Sequence, residues 1–381
     1  MKYILWLIRI VVGVLFIFSG LVKANDPMGL VYKMNEFFDV LHMSFMSSYS
    51  FAFSILMIAF EIIAGIALLL GYAFRVFSVL LLLLNVFYMF LTGYALYSGK
   101  VQECGCFGAC IKISNDATFW KDVVLTALSI ILFVYRKRIL PLFTAYPGAS
   151  LMIICSFFAF GIQWWALEHG PFVDCLAYKP GNNLWQKMHP ATGPGIVPDR
   201  YESVMVYEKN GIKKEFQTNS PEKPWEDSTW KYDTTINKLI KGTGNAEPEI
   251  KDFTLVDIYK NDHTQEILTT PGYMFLWFVK DPEKMRQDNM DRLQNIIKRS
   301  QKLGVHFYLV ISGTAEQDTV FQRKWNVMGV DMVLLDATVA KTAMRTNPGL
   351  MLLKDGTVQQ KWSFRDYPKD INMENDKLTT K

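Results

Sequence analysis

The chain has 381 residues, of which 50% are hydrophobic, and 40 basic and 36 acidic residues give it a formal net charge of +4. Its length is enough for two or three domains. The small charge and the lack of a basic patch with interleaved aromatic residues exclude a nucleic-acid-binding class. The hydrophobic residues are concentrated in residues 3–168, whereas residues 170–381 have the composition of a soluble chain.

Apolar runs in the first part of the chain predict about five transmembrane helices. Each run meets or approaches the roughly 20 residues that a helix needs to cross a bilayer core. A signal peptide is the alternative for residues 1–22, but no small-residue cleavage site follows them. The runs are Ile4–Val22, Phe51–Tyr72, Val76–Leu96, Phe119–Tyr135 and Ala149–Leu167.

Basic residues in the short loops predict the orientation of these helices. Lys2, Arg75 and Arg136-Lys137-Arg138 fall on one side, which the rule makes cytoplasmic. The N-terminus then lies inside, and the loop Cys104–Cys110 and everything after Leu167 lie outside the cytoplasm. Lys23, Lys33, Lys100 and Lys112 fall on this outer side. The helical periodicity of Gly29–Leu41 predicts an amphipathic helix on the outer interface.

Glu61 lies near the centre of the second predicted span, where an ionised side chain is costly. One interpretation is a protonated or hydrogen-bonded residue that locks helix packing beside Gly65. The other is a proton or quinone site. Asn85, at comparable depth in the third span, is the first candidate for its hydrogen-bond partner, and Arg9 is the second.

Three of the five cysteines, Cys104, Cys106 and Cys110, lie in the loop after the third span, and Cys175 follows the fifth. These four outer thiols allow three full pairings. A Cys104–Cys106 bridge closes a small strained ring, which would suit thiol exchange, with Cys110 as a third thiol or as a partner of Cys175. Stable structural bridges and a soft-metal site remain alternatives. Cys155, within the fifth span, fits a packing role.

The soluble part divides into a connector and an α/β domain. Glycine and proline residues interrupt residues 171–247, and Val204–Glu208 and Lys213–Gln217 predict a hairpin around Asn210-Gly211. Beyond this connector, Asp252–Ile258 is predicted as a strand or a lead-in to the domain. Strands at Tyr273–Val279 and Val305–Ile311 then alternate with helices at about Pro282–Leu303 and Glu316–Met328. A hairpin of Leu350–Leu353 and Thr357–Trp362 around Asp355-Gly356 completes a β-α-β-α-β-β order.

This order, with Thr346-Asn347-Pro348-Gly349 before the hairpin, resembles the thioredoxin fold over residues 248–368. The resemblance implies a cis-proline at Pro348 beside the position of the redox cysteines. That position reads Val279-Lys280-Asp281-Pro282-Glu283-Lys284, and no cysteine follows Cys175. A domain without a thiolate cannot exchange disulfides by itself. The resemblance therefore implies a redox-silent domain that docks a client.

Residues 1–140 resemble the DoxX family and its MauE-like branch. The resemblance rests on Phe16–Lys23 at the end of the first span, Glu61 with Gly65, and Cys104-Gly105-Cys106-Phe107-Gly108. It implies a bacterial inner-membrane protein associated with thiol redox chemistry, with its C-terminal domain in the periplasm. The expected partners are an extracytoplasmic client or redox protein and membrane lipid.

The sequence therefore predicts a membrane all-α bundle joined to a soluble α/β thioredoxin-like domain. The expected units are residues 1–140, the fifth transmembrane helix at 141–170, the connector at 171–247 and the thioredoxin-like domain at 248–381. Cys104, Cys106 and Cys110 are the candidate catalytic residues. Glu61 and Asn85 line a candidate site for a membrane quinone, and Cys175 and Pro348 are further candidate site residues. No metal is assigned. Two classes of function are expected. The first is a thiol-disulfide oxidoreductase or a redox-associated accessory subunit. The second is a non-enzymatic envelope scaffold or maturation factor with structural disulfides. A transporter is disfavoured by the lack of a clear internal repeat.

Overall fold

The computed structural model describes residues 2–381, leaving out residues 99–100, 102–107, 109, 112, 192–196, 198–199, 210–211, 218–223, 228, 241–246, 314–320, 322, 326 and 328–329. Cys104, Cys106 and the turn residues Asn210-Gly211 therefore lie outside the described residues. So does most of the predicted helix Glu316–Met328.

The N-terminal half is a helical bundle. Its helices are α1 (Lys2–Asn25), α2 (Pro27–Val40), α3 (Ser50–Leu70), α4 (Phe74–Ser98), α5 (Asn115–Val134) and α6 (Ala145–His169), with a short 3-10 helix at Ser44–Tyr49. Among the described residues, five helices are long and apolar enough to cross a membrane: all of these except α2 and the 3-10 helix by itself. The predicted spans are thereby confirmed.

Local sequence explains where these helices begin and how closely they pack. The Asp26 side chain accepts a hydrogen bond from the Gly29 amide, and Pro27 occupies the first turn, so α2 begins with a capping residue and a proline. Gly13 and Gly65 allow α1 and α3 to approach closely, because a Cβ at Gly65 would lie 2.7 Å from the Gly13 carbonyl oxygen. Such small residues commonly mark helix interfaces in membranes.

A short helix and a small antiparallel sheet follow the bundle. They comprise α7 (Leu184–Lys187), β1 (Arg200–Lys209), β2 (Ile212–Gln217) and β3 (Lys231–Ile240), with strand order β2-β1-β3. The predicted hairpin pairing is confirmed, since Val204 pairs with Gln217 and Glu208 with Lys213. The third strand was not predicted.

A five-stranded mixed sheet forms the centre of the C-terminal domain. In chain order its elements are α8 (Thr264–Thr269), β4 (Tyr273–Val279), α9 (Met290–Leu303), β5 (His306–Ile311), β6 (Asp331–Leu334), α10 (Ala337–Ala343), β7 (Gly349–Lys354) and β8 (Thr357–Ser363), followed by a hairpin of β9 (Ile371–Glu374) and β10 (Lys377–Thr380). The strand order is β6-β5-β4-β7-β8. β4 runs parallel to β5 and antiparallel to β7.

Several predicted boundaries in this domain were wrong. Asp252–Ile258 makes only isolated bridges at Val256 and forms no strand. The helix expected from Pro282 begins at Met290, because Asp281 accepts hydrogen bonds from the Glu283 and Lys284 amides and holds a turn there. β6, α10 and the β9–β10 hairpin were not predicted. The Asp355-Gly356 hairpin is confirmed, and both residues have positive φ as a two-residue turn requires.

Buried residues cover both faces of the central sheet. Trp277 and Leu350 belong to one core, and Phe278 and Met351 belong to the other. Tyr178 and Leu184, which the sequence places in the connector, pack into the second of these cores. Gly181 and Leu184 also hydrogen-bond to Val358 and Gly356 through the backbone. The start of the connector is thus structurally part of the sheet domain.

Candidate functional site

A buried ion pair joins the first and second membrane-spanning helices. Lys23 Nζ on α1 lies 2.5 Å from Glu61 Oε1 on α3, and these side chains are 2% and 0% exposed. The Tyr88 hydroxyl on α4 donates to the same carboxylate oxygen. Lys23 Nζ also donates to Ser19 Oγ at 3.1 Å. The pair offsets two charges that would each be costly inside a bilayer.

A second polar set lies on the adjacent faces of α4 and α5. Asn85 Nδ2 donates to Ser129 Oγ at 2.8 Å, and both residues are buried. Asp122, 1% exposed, pairs with Lys121 at 2.9 Å. Intramembrane ionisable residues are rare and usually mark functional positions.

A cavity of about 280 Å³ lies between α1, α4 and α5, where these polar groups converge. Its apolar lining residues are Leu15, Phe16 and Leu125, and its polar lining residues are Ser19, Lys23, Asn85, Tyr88, Lys121 and Asp122. Asn85 Oδ1, Asp122 Oδ2 and the nearby Glu61 Oε2 are buried and have no hydrogen-bond partner within the described part of the chain. Such buried acceptors are costly unless a ligand or water satisfies them. We call this space the bundle cavity.

The predicted partners of Glu61 were wrong. Asn85 bonds to Ser129, and Arg9 donates to the backbone carbonyl of Leu68 instead. The actual partners are Lys23, which was predicted as an outer loop lysine, and Tyr88, which was not predicted as a site residue. Two signals pointed to the missed residues: Tyr88 follows Asn85 by one helical turn, and Asp122 is a carboxylate within an apolar span.

The cysteine-rich loop is fixed at one point by a disulfide. Cys110 is bonded to Cys175, which is one of the pairings left open by the sequence. Asn25, at the end of α1, exchanges two hydrogen bonds of 2.9 Å with the Val173 backbone. A Cβ at Gly108 would lie 3.4 Å from the Val22 carbonyl oxygen. The described part of the loop therefore packs on the end of α1, next to Lys23.

The same end of the bundle contacts the sheet domain through ion pairs. Arg345 Nη2 lies 2.8 Å from Asp26 Oδ2, and its Nε donates to both carboxylate oxygens at 2.9 Å. Glu168, at the end of α6, pairs with Arg365 at 2.6 Å. Lys361 pairs with Asp174 at 2.6 Å. These contacts place the cysteine loop and the sheet domain at one end of the helices.

Lys280 lies at the centre of this interface, directly after β4. Its Nζ donates to the Arg345 carbonyl oxygen at 2.7 Å and lies 3.3 Å from the Tyr32 hydroxyl. Burial is the main cause that lowers the pKa of Lys280 to about 7, and the nearby cations Arg345 and Lys341 contribute to the same shift. Burial raises the pKa of Tyr32 to about 12. The interface therefore disfavours the charged form of Lys280.

The loop before β7 lies beside the segment that follows β4. The peptide bond Asn347–Pro348 is cis. The Lys280 amide donates to Asn347 Oδ1 at 2.9 Å, and Asn347 Nδ2 donates to the Asp281 carbonyl oxygen at 2.8 Å. Pro348 is therefore close to the position that the sequence comparison assigned to the missing redox cysteines.

A groove of about 590 Å³ separates α2 from α10. Gly108 of the cysteine loop forms part of its lining, together with Tyr32 and Asn35 of α2 and Lys341 and Arg345 of the sheet domain. Asn35 Oδ1 is a buried acceptor with no partner in the described ranges. Within those ranges, no group of three histidine, cysteine or acidic residues is arranged to hold a metal.

Residues 1–135 match the model of a family described as methylamine utilisation protein MauE. The match covers α1 to α5 and so includes Lys23, Glu61, Asn85 and Cys110. Residues 201–242, which contain most of β1, β2 and β3, match a domain of unknown function, DUF8463. No curated protein and no solved structure matches the chain. The N-terminal region is thus a MauE-like, multi-pass membrane region.

Proposed function

We propose that this protein supports thiol–disulfide exchange at the outer face of a bacterial inner membrane, as a DoxX- and MauE-like bundle joined to a thioredoxin-like domain. Cys104 and Cys106 would carry the exchange, and the sheet domain would hold the client in the periplasm. The supporting observation is that Gly108 packs on Val22, beside the buried Lys23–Glu61 pair. The loop, the bundle cavity and the sheet domain therefore share one end of the bundle.

The thioredoxin-like assignment has support from the sheet topology and from the position of Pro348. The central order β5-β4-β7-β8, with β4 parallel to β5 and antiparallel to β7, agrees with that fold. Lys280 occupies the segment where the fold's redox cysteines would follow the first core strand. Because the chain has no cysteine after Cys175, this domain would act by binding and not by electron transfer.

The exchange step would use an oxidised Cys104–Cys106 pair. A client thiolate attacks one sulfur, the other leaves as a thiolate, and a second client thiol then releases the client as a disulfide. The client loses two electrons and two protons, and the loop becomes a dithiol. A client segment in the groove would lie beside Gly108, which is two residues from Cys106 in the chain.

The bundle cavity fits a quinone ring as the carrier that reoxidises the loop. Its volume of about 280 Å³ and its mixture of apolar and polar lining residues suit a small ring with hydrogen-bonding oxygens. A quinone supplies the capacity to accept two electrons and two protons. Lys23 is a donor among the polar lining residues, and Asn85 Oδ1 and Asp122 Oδ2, acceptors without partners in the described chain, would accept hydrogen bonds from the hydroxyls of the reduced quinol.

Trapping experiments test the exchange. Cys104→Ser and, separately, Cys106→Ser should each leave one thiol that accumulates a mixed disulfide with another protein on non-reducing gels. Cys155→Ser, which changes the free cysteine of α6, is the matched control. Glu61→Gln, compared with the wild type at equal amounts of folded protein in the membrane, should leave the loop thiols reduced. If neither loop variant traps a protein, and thiol labelling does not respond to the redox state, the exchange function is wrong.

A rigid envelope scaffold or maturation factor is the second candidate, and the Cys110–Cys175 disulfide favours it. Together with the Arg345–Asp26 and Lys361–Asp174 pairs, it fixes the sheet domain on the bundle. In this case, replacing Cys104 and Cys106 would lower protein abundance without a redox defect. Deleting residues 248–381 would abolish function.

A further inference from the structure

A second polar cavity lies where the chain leaves the membrane bundle. It has a volume of about 310 Å³ and lies between the segment after α6, the residues before Pro348, and the end of β8. Its lining includes His169, Phe172, Asp174, Lys179, Met344, Arg345, Thr346, Lys361, Trp362 and Ser363. We call it the exit cavity. It is separate from the bundle cavity and shares Arg345 with the groove beside α2.

Positive charge in the exit cavity exceeds negative charge. Lys179, Arg345 and Lys361 line it, and Asp174 is the only carboxylate among its lining residues. Asp174 pairs with Lys361, and Arg345 pairs with Asp26 outside the cavity. Lys179 has no acidic partner within 4 Å in the described structure, and it is exposed. Within the described residues, the charge of Lys179 in this cavity is therefore not paired with a carboxylate.

Neighbouring cations increase this imbalance. Arg345, Lys341 and Lys361 each act electrostatically on Lys280. Burial lowers the pKa of Lys361 although Asp174 acts in the opposite direction. Burial and the surrounding cations likewise lower the pKa of Lys280. A bound anion would offset the repulsion that these groups exert on one another.

Hydrogen-bond donors are available at the same place. Thr346 is 5% exposed, and its hydroxyl oxygen is buried with no hydrogen-bond partner within the described ranges. Lys361 Nζ has three donor hydrogens, of which Asp174 uses one. Lys179 Nζ is a further donor. By contrast, Arg345 is already engaged by Asp26 and by the Lys341 carbonyl oxygen.

We propose that the exit cavity binds an oxyanion group, a carboxylate or a phosphate, on a molecule with a short apolar part. Lys361, Lys179 and Thr346 contact the oxyanion, and Phe172, Met344 and Trp362 line the apolar side. Arg345 contributes charge while it stays paired with Asp26. The ligand is either a small organic acid in the aqueous phase or the head group of an anionic lipid, since both present the same chemistry. This inference is independent of thiol exchange.

Binding is measured by calorimetry on the full-length protein in phosphatidylcholine nanodiscs. Butyrate and inorganic phosphate are the probes, and propylamine, with an apolar chain of the same three carbons as butyrate and a positive charge, is the matched control. The expected result is binding of at least one anion and no binding of propylamine. Absence of binding by both anions at millimolar concentrations overturns the proposal.

Two variants with opposite expected effects identify the site. Asp174→Asn keeps the Oδ1 acceptor for the Leu176 amide but removes the carboxylate charge beside Lys361, so anion affinity should increase about tenfold. Lys179→Gln should lower affinity about threefold or more, and because Lys179 is exposed the variant should fold normally. Lys298→Gln, an exposed lysine on α9, is the control and should leave affinity unchanged.

Unchanged affinity in both Asp174→Asn and Lys179→Gln would place the binding elsewhere and overturn the proposal. If Asp174→Asn does not fold, Lys179→Gln decides by itself. Nanodiscs containing phosphatidylglycerol distinguish the two sources of the oxyanion. Loss of butyrate binding in those nanodiscs assigns the site to a lipid head group, and retained binding assigns it to a soluble acid.

Discussion

Lys23 and Glu61 form an ion pair inside the helical bundle, with 2.5 Å between Nζ and Oε1 and almost no exposure of either side chain. Lys23 lies near the end of α1, and Glu61 lies near the middle of α3. The pair explains how α3 carries a central carboxylate in an apolar span. Each charge is offset by the other, and the Tyr88 hydroxyl donates to the same oxygen.

Glu61→Gln should strongly destabilise the bundle, because it leaves Lys23 buried without a counter-charge. Breaking a buried pair from one side costs about 3–5 kcal/mol. Thermal unfolding of the purified protein in detergent measures the effect. Glu36→Gln, which removes the more exposed Lys33–Glu36 pair, should cost less than about 1 kcal/mol. The double variant Lys23→Met/Glu61→Leu should recover much of the stability that Glu61→Gln loses. Equal losses of stability in Glu61→Gln and Glu36→Gln would contradict the buried pair.

Cys175→Ser should destabilise the attachment of the sheet domain to the bundle, because Cys110 and Cys175 close a loop with a sequence separation of 65 residues. Loss of a bridge over a loop of this size costs about 2–5 kcal/mol. Non-reducing peptide mapping should find Cys110 linked to Cys175 in the wild type. Thermal unfolding of Cys155→Ala gives the control. A map that links Cys110 to another cysteine would contradict this pairing.

Arg345→Gln should loosen the contact between the sheet domain and α2, because it leaves Asp26 without its bidentate partner. We expect faster cleavage of the segment 171–191 in limited proteolysis. Asp26→Asn should have a similar effect, since asparagine retains the helix cap but not the charge. Asp26→Ala loses both the helix cap and the ion pair, so the protease should cleave this variant fastest. Cleavage rates equal to the wild type in all three would contradict a docking role.

Lys280 should make the stability of the folded protein depend on pH. Its pKa in the folded state is about 7, below the ordinary value of 10.5. Between these values the unfolded chain binds a proton that the folded chain does not, so stability should rise with pH. The slope is at most about 1.4 kcal/mol per pH unit. Burial is the largest cause of the lowered pKa; Arg345, Lys341 and Lys361 add to it, Asp26 opposes it, and the Tyr32 hydroxyl also faces Lys280.

Lys280→Met removes this titration and is the test of it. The difference in stability between wild type and variant should change as the pH is raised from about 7 to about 9, with the wild type gaining relative to the variant. Lys354→Met, on β7 of the same sheet, serves as the control for loss of a lysine. Parallel pH profiles for wild type and Lys280→Met would mean that Lys280 is charged in the folded protein.

Local patterns in the sequence predicted the membrane spans and much of the central sheet. A span such as Phe51–Tyr72 can be predicted because it needs only one continuous run of apolar residues long enough to cross the bilayer. The turn at Asp355-Gly356 can be predicted because it depends only on the φ values that these two adjacent residues can adopt. Strand β6 and helix α10 were missed because each is short, so that too few residues repeat to define a period.

The amino-acid sequence by itself determined the division into an apolar bundle and a soluble α/β region, since both follow from residues that are neighbours in the chain. Only the tertiary structure decided that Glu61 pairs with Lys23 and not with Asn85, and that Cys110 pairs with Cys175. Such partners are far apart in sequence, and their meeting depends on how helices rotate and cross. Close approach at Gly13 and Gly65 fixes that geometry, and no local period encodes it.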